Sequence, residues 1–178
     1  MLFVGLTNFL FLLRYALAKQ GGARKQIYAV VLFGLFLFSA FRYQVGCDWG
    51  GYYVQYAGAT NFDWSTLTSI REPIWWAILA WLNESGLPYP TANVISSAVF
   101  FAGVHVLARR QPDPLGFLVL LFPILIINMP MSGIRQGAAI GLICIAFVAF
   151  IDRRPLKFAI WVAIAAGFHS SALIFMLL

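Results

Sequence analysis

The chain has 178 residues, of which 62% are hydrophobic and 10% are charged, and its mean hydropathy is +0.85. A soluble domain of this length cannot cover so much apolar surface with so few charges, so the composition excludes a soluble globular protein. The apolar residues fall in long runs rather than in alternation, which predicts an all-α polytopic transmembrane bundle. The net charge of +6 indicates basic loops and anion-binding arginines rather than nucleic-acid binding.

Six apolar segments approach the roughly 20 residues that a spanning helix needs once flanking residues are added. In chain order they are 2–18, 27–41, 93–108, 115–129, 137–151 and 158–178. A weaker segment, 73–87, begins with a proline that suits the first turn of a helix and ends among glycine and prolines. We therefore predict one transmembrane domain over 1–178 with about six spanning helices and one re-entrant or interfacial helix, 73–87.

The two ends of the sequence carry further predictions. Basic residues follow the first apolar run instead of preceding it, which argues against a cleavable signal peptide. The last apolar segment stops on Met-Leu-Leu without the aromatic or charged flank that is typical of a spanning helix. We therefore expect the chain to be the N-terminal part of a longer protein, truncated at its C-terminus.

Three basic clusters decide the predicted topology. They are Lys19, Arg24 and Lys25; Arg109 and Arg110; and Arg153, Arg154 and Lys157. The positive-inside rule places all three in the cytoplasm only if 73–87 does not cross the membrane. Residues 42–92 then form an extracytoplasmic loop, and residues 130–136 lie on the same outer face.

A second polar set lies on this outer face, and it begins in the stretch FRYQVGCDWGGYY. Asp48 and Tyr52 are one helical turn apart, and the neighbouring glycines allow a close approach of the backbone to a ligand. An aromatic interfacial belt with Asp48 as a helix cap is the alternative explanation. In Arg71-Glu72-Pro73, likewise, Glu72 could simply stabilise a helix N-terminus.

Arg135, in the stretch PMSGIRQG, has no explanation from the positive-inside rule under this topology. An arginine within the membrane costs about 2.5–3.5 kcal/mol at mid-helix and less near the interface. Asp48, Glu72 or a phosphate should offset that cost, and a guanidinium can bind a phosphate through two hydrogen bonds. Ser132 is available to cap the helix that follows.

His169, in GFHSS, falls about halfway along the last apolar segment, about 15 Å deep if that segment is one helix. A histidine bonded to a neighbouring helix is the simple alternative. Four small or polar residues in succession, however, favour a position facing a cavity or the interior of the bundle.

Four stretches, VGCDWGGYY, REPIWW, SGIRQGAAI and FHSSAL, together resemble the serial signature of the EpsG-like family of bacterial exopolysaccharide and capsule polymerases. The resemblance covers nearly the whole chain. It departs from the usual pattern in the order Phe41-Arg42-Tyr43, where the family has Tyr before Arg, and in Cys47 in place of Thr. Ile74-Trp75 replaces the Gly-Phe that normally follows Glu-Pro. No charged residue of the motifs is lost.

This resemblance implies a Wzy-like polymerase, with a GT-C-like fold by analogy, in the bacterial cytoplasmic membrane. Such an enzyme joins polyprenyl-pyrophosphate-linked sugar repeat units during exopolysaccharide, capsule or O-antigen synthesis, with its motif residues facing outside. The expected partners are a polyprenyl-pyrophosphate-linked oligosaccharide, membrane lipid and other polysaccharide assembly proteins. No cofactor and no metal are expected.

The resemblance also implies roles for individual residues. Asp48 would act as general base, Arg135 would stabilise the leaving pyrophosphate, and His169 would bond the phosphate or orient an arginine. The expected substrate-binding set consists of Arg42, Trp49, Tyr52, Tyr53, Arg71, Glu72, Gln136 and Ser170. A transporter or flippase of lipid-linked sugars, or a non-catalytic scaffold of an assembly complex, remains the alternative. A transporter needs the arginines but no base, and a scaffold needs neither.

Overall fold

The computed structural model describes residues 2–16 and 21–178, and every regular element within them is a helix. Lys19 and the end of the predicted segment 2–18 lie outside the described residues. The α-helices are α1 (Leu2–Ala16), α2 (Gly21–Ala40), α3 (Trp49–Gly58), α4 (Pro73–Glu84), α5 (Pro90–Ala108), α6 (Pro114–Leu121), α7 (Ile134–Ile151) and α8 (Pro155–Phe168). Short 3-10 helices cover Trp64–Thr68 and Ser170–Leu177, and a π-helical turn, Phe122–Ile126, extends α6. The predicted all-α class is confirmed.

Three helices are long and apolar enough to cross a membrane by length and composition: Gly22–Ala40, Pro90–Ala108 and Ile134–Ile151. Three shorter apolar helices, Phe3–Ala16, Pro114–Ile126 and Pro155–Phe168, correspond to the other predicted segments. α4 has 12 residues, well below the roughly 20 that a full span needs. The number of spans and the re-entrant placement of α4 stay predictions.

Glycines bring α5 and α7 into backbone contact at the centre of the bundle. A methyl group added to Gly141 would lie 2.6 Å from the Phe100 Cα atom, and one added to Gly103 would overlap the Gly141 carbonyl. Small residues at such crossings let membrane helices approach closely. Two apolar cores flank this crossing. One joins α1, α2, α5 and α6 around Phe100 and Leu118, and the other joins α3, α4, α7 and α8 around Trp75 and Leu142.

The polar residues separate to the two ends of the bundle. At one end Asp113 pairs with Arg14 at 2.9 Å and with Arg24 at 2.5 Å, and Arg110 pairs with Asp152 at 2.8 Å. At the other end the Cys47 N–H donates to Ser132 Oγ at 3.0 Å. α2 has 20 residues and therefore separates the ends by about 30 Å. The described basic clusters thus share one end, and residues 42–48 meet residues 130–133 at the other.

Local structure differs from the sequence predictions at two of the polar motifs. Segment 158–178 is not one helix, because α8 ends at Phe168 and His169 adopts an extended conformation with φ −152° and ψ 121°. His169 is therefore at a helix break rather than halfway along a helix. Ser132 does not cap α7: Gly133 occupies the N-cap position, while the Ser132 hydroxyl accepts the Cys47 N–H instead.

Candidate active site

The Glu72 carboxylate holds three distant segments together. One oxygen, Oε2, pairs with Nη1 of Arg135. The other, Oε1, accepts the Ser170 N–H at 3.1 Å and lies 2.7 Å from His169 Nδ1. The Ser170 N–H, which leaves the helix after α8, thereby finds an acceptor, and this bond accounts for the break there. The loop before α4, the start of α7 and the end of α8 therefore meet at one carboxylate.

The backbone of Glu72 is itself unusual. With φ 61° and ψ 54° it is in the left-handed region, which costs about 1–2 kcal/mol for a residue other than glycine. The side chain is only 9% exposed. A strained, buried acid persists when surrounding contacts fix it, and such strain concentrates at functional sites. Glu72 is the N-cap residue of α4, but its side chain forms no capping hydrogen bond and contacts Arg135, His169 and Ser170 instead.

Arg135 retains an unused hydrogen-bond donor. It lies in the first turn of α7, where the helix dipole disfavours a cation, so the Glu72 carboxylate offsets an otherwise unfavourable placement. Its Cζ atom lies 5.5 Å from the centroid of the Tyr52 ring, in a cation–π contact. The Nε atom is buried and has no hydrogen-bond partner among the described residues. The guanidinium can therefore donate to an anionic ligand while Glu72 keeps its orientation.

His169 bridges Glu72 and Gln136. Its Nε2 atom lies 3.1 Å from the Gln136 amide nitrogen. The Nδ1 atom, on the other side of the ring, faces the Glu72 carboxylate at 2.7 Å. The Nδ1–Oε1 approach is a close polar contact without the alignment of a hydrogen bond. The imidazole is thus fixed between two groups beside Arg135.

Arg42 is buried against neutral oxygen atoms. Its guanidinium donates to the Pro130 carbonyl, to the Val45 carbonyl at 3.1 Å and, more distantly, towards Asn93 Oδ1 at 3.5 Å. Burial lowers the pKa of Arg42, although the nearby hydroxyls of Tyr89 and Tyr52 oppose that change. No carboxylate neutralises it among the described residues. Arg42 therefore anchors the loop after α2 and adds positive charge to this end of the bundle.

The loop that carries Asp48 is shaped by Gly46. This glycine has φ +108°, and a Cβ atom there would overlap the Met131 carbonyl, so another residue does not fit. Asp48 follows in the N-cap position of α3, but it is exposed and makes no capping hydrogen bond. Burial raises the pKa of Tyr52, while Arg135 opposes the rise and the Asp48 carboxylate adds to it. Tyr52 is therefore close to both charged groups.

An aromatic cluster borders this loop. The rings of Trp49 and Tyr53 are stacked, with centroids 5.4 Å apart, and the Tyr89 ring meets both edge-on. Tyr53 is 48% exposed, so one face of the cluster is open to a ligand. Flat apolar faces with polar edges suit the faces of sugar rings as well as a membrane interface.

The predicted site residues fall into three groups. Glu72, Arg135, Gln136, His169, Ser170 and Tyr52 form one contact network. Arg42, Asp48, Trp49 and Tyr53 belong to the adjoining loop and α3. Arg71 precedes Glu72, is exposed and forms no ion pair among the described residues.

Sequence reasoning missed a buried polar patch beside Arg42. Ser39 and Ser97 share a 2.8 Å hydrogen bond, and the buried Asn93 and Ser96 each leave one side-chain atom without a partner in the described chain. The spacing of Asn93, Ser96 and Ser97 puts them on one face of α5. That spacing, inside an otherwise apolar run, was the signal available in the sequence.

The described residues contain no group of three or more His, Cys, Asp or Glu side chains that could hold a metal ion. What this end of the bundle offers is positive charge with hydrogen-bond donors, an exposed carboxylate and open aromatic faces.

A family model described as the EpsG family matches residues 25–178. The chain belongs to the EpsG family. The predicted family is therefore confirmed, and all four motifs fall within the matched residues. No curated protein and no solved structure matches the chain. Family membership and the apolar helices together indicate a membrane protein of the polysaccharide polymerase type.

Proposed function

We propose that this EpsG-family protein is a glycosyltransferase that joins polyprenyl-pyrophosphate-linked sugar repeat units into a polysaccharide. The main support for this proposal comes from Arg135. The buried Glu72 carboxylate orients its guanidinium, yet its buried Nε–H has no partner in the described chain. A guanidinium fixed in this way is prepared to bind a phosphate oxygen.

Unpaired guanidinium groups favour an anionic substrate. Arg42 and Arg71 form no ion pair among the described residues, and Arg135 keeps a buried Nε–H without a partner there. A pyrophosphate would supply acceptor oxygens and negative charge to these groups. Its lipid tail would extend along the apolar helices, and its sugar would contact Trp49 and Tyr53, whose stacked rings lie beside the loop.

The proposed reaction is a substitution at the anomeric carbon of the donor sugar. An acceptor hydroxyl oxygen forms the new glycosidic bond, while the bond from the anomeric carbon to the phosphate oxygen breaks and its electron pair leaves with the pyrophosphate. Arg135 stabilises the negative charge that develops on that oxygen. Asp48 accepts the hydroxyl proton, a role for which its exposed carboxylate, which makes no capping hydrogen bond, is suited.

Glu72 and His169 have positioning roles in the proposed reaction. Glu72 orients Arg135 directly, and His169, held by Glu72 and Gln136, presents its polar edge beside the phosphate. The positive-inside rule places the end with Arg24, Arg110 and Asp152 in the cytoplasm, so the proposed site opens outside the cytoplasmic membrane.

The deciding experiment uses the protein purified in detergent with a polyprenyl-pyrophosphate-linked oligosaccharide. Lengthening of the sugar chain with release of polyprenyl pyrophosphate supports the proposal, because transport has no meaning without a sealed membrane. Arg135→Ala should abolish elongation and Asp48→Asn should lower it by about 10²–10⁴-fold. Arg153→Ala, a change at an exposed basic residue at the opposite end, is the matched control. Elongation that persists in Arg135→Ala would refute the assignment.

A further inference from the structure

A separate groove runs along the junction of α2 and α5, at the end of the bundle away from Glu72. It encloses about 1080 Å³, close to the upper limit of about 1,000 Å³ for ligand pockets. One wall is α2, with Leu32, Phe33 and Phe36, and the other is α5, with Ala98, Phe101 and Ala102. The two alanines of α5 leave space between these larger side chains.

The mouth of this groove is basic. Arg24, Lys25 and Arg109 line it, and the Tyr28 hydroxyl bonds His105 Nδ1 at 2.9 Å just inside. Arg24 is paired with Asp113 at 2.5 Å. Within residues 2–16 and 21–178, Lys25 and Arg109 form no ion pair. The groove thus passes from cationic to polar to wholly apolar along its length.

We infer that this groove binds an anionic glycerophospholipid, with the phosphate at Lys25 and Arg109 and an acyl chain between α2 and α5. From Lys25 to Phe36 the groove follows twelve residues of helix, which rise by about 16 Å. That length matches half of a hydrocarbon core of about 30 Å, so the groove has the depth of one leaflet. Basic pockets between membrane helices on the cytoplasmic side are suited to acidic lipid headgroups.

Charge decides among the possible occupants. An apolar helix from another protein would fill the groove, but it would bring no negative charge to its mouth. Inorganic phosphate would satisfy the cations but would make no contact with the apolar walls. A lipid with a charged phosphodiester and an acyl chain complements both parts of the groove. This inference does not depend on the proposed glycosyltransferase reaction.

The test is native mass spectrometry of the detergent-purified protein titrated with phosphatidylglycerol, phosphatidylcholine, polyprenyl phosphate or inorganic phosphate. We expect phosphatidylglycerol to bind more tightly than phosphatidylcholine. The double variant Lys25→Ala/Arg109→Ala should weaken phosphatidylglycerol binding by about 10- to 30-fold. The matched control, Arg154→Ala/Lys157→Ala, removes the same charge from exposed positions outside the groove and should bind as the parent does.

A second pair of variants tests the apolar part. Ala102→Trp fills the groove and should abolish phosphatidylglycerol binding, whereas Ala163→Trp, at an exposed position on α8, should not. Thermal unfolding of each variant shows whether a loss of binding reflects a loss of fold. Lys25 and Arg109 are exposed, so changing them should not disturb the core. Three results would each overturn the inference. The protein could bind phosphatidylcholine as tightly as phosphatidylglycerol, or the two double variants could bind phosphatidylglycerol equally well. Polyprenyl phosphate or inorganic phosphate could also displace phosphatidylglycerol.

Discussion

Glu72 and Arg135 form an ion pair that joins the residue before α4 to the first turn of α7. The Glu72 side chain is 9% exposed and that of Arg135 is 24% exposed, so the pair is largely shielded from water. Removing one member of a shielded pair leaves the other without compensation, which is more destabilising than losing a surface pair. The pair should therefore contribute to stability as well as to ligand binding.

Glu72→Gln should lower the free energy of unfolding by about 2–3 kcal/mol, less than the 3–5 kcal/mol of a fully buried pair because Arg135 is partly exposed. The expected fall in Tm is about 4–12 °C, measured by circular dichroism in detergent. Glu84→Gln is the control, since Glu84 is exposed and bonds only the Trp64 indole N–H at 2.7 Å among the described residues. Equal Tm values for the two variants would contradict the role given to the ion pair.

Arg135→Lys tests whether the shape of the guanidinium matters beyond its charge. Lysine can pair with Glu72, but it lacks the planar group that donates to Glu72 and a phosphate at the same time. We expect elongation to fall by about 10²-fold while Tm stays close to that of the parent. Single-turnover assays at saturating lipid-linked donor make the measurement. Parental activity in Arg135→Lys would mean that only the positive charge is needed.

The sequence predicted the helical segments well because apolar runs and basic clusters are local signals. α4 begins at Pro73, as that residue's preference for a first helical turn suggested. The arrangement around Glu72 was beyond such reasoning, because it depends on side chains that meet from distant parts of the chain. Ser132 shows why: its pattern favoured a helix cap, whereas the loop after α2 supplies a different partner, the Cys47 N–H.

His169 illustrates the same limit at the level of secondary structure. The apolar run around it predicted one continuous helix, since hydropathy does not record where a backbone N–H finds an alternative acceptor. Glu72 provides that acceptor for Ser170, and α8 ends two residues earlier. The α2–α5 groove was equally invisible, because its space arises from side-chain sizes on two helices that are far apart in the sequence.

Tyr89 gives a prediction about alkaline pH. Its hydroxyl is buried without a partner among the described residues, and burial raises the pKa of Tyr89 to about 12. An exposed tyrosine has a pKa of about 10, so the folded protein holds this proton more tightly than the unfolded chain. The contribution of the protonated Tyr89 hydroxyl to the free energy of unfolding is therefore fully present below about pH 10, and it is lost as the pH rises towards about 12.

Tyr89→Phe removes this ionisation, so its Tm should fall less steeply than that of the parent between pH 9 and pH 11.5. Arg42, which lowers the pKa of Tyr89, and Tyr52, which raises it, both contribute to the pKa shift that this variant removes. At neutral pH the variant should be about as stable as the parent, because the lost hydroxyl has no hydrogen bond to replace in the described chain. Parallel Tm curves over the alkaline range would show that Tyr89 does not titrate differently on folding.

Gly141 tests the helix crossing that supports the site. A methyl group at this position would lie 2.6 Å from both the Phe100 Cα atom and the Val99 carbonyl oxygen, so α5 and α7 would have to separate. Such a separation would disturb α5 near the buried Asn93 and α7 near Arg135, because both residues lie towards the same end of these helices. Gly141→Ala should therefore lower Tm and reduce elongation together.

Gly34→Ala is the matched control, because a methyl group on Gly34 of α2 meets no atom within 4 Å. Alanine is favoured over glycine inside a helix by about 0.5–1 kcal/mol, so this variant should keep or slightly raise Tm. The same chemical change is thus expected to have opposite signs at two helical positions. Equal Tm values for Gly141→Ala and Gly34→Ala would contradict a close backbone contact between α5 and α7. Glu72 alone would then hold Arg135 in position.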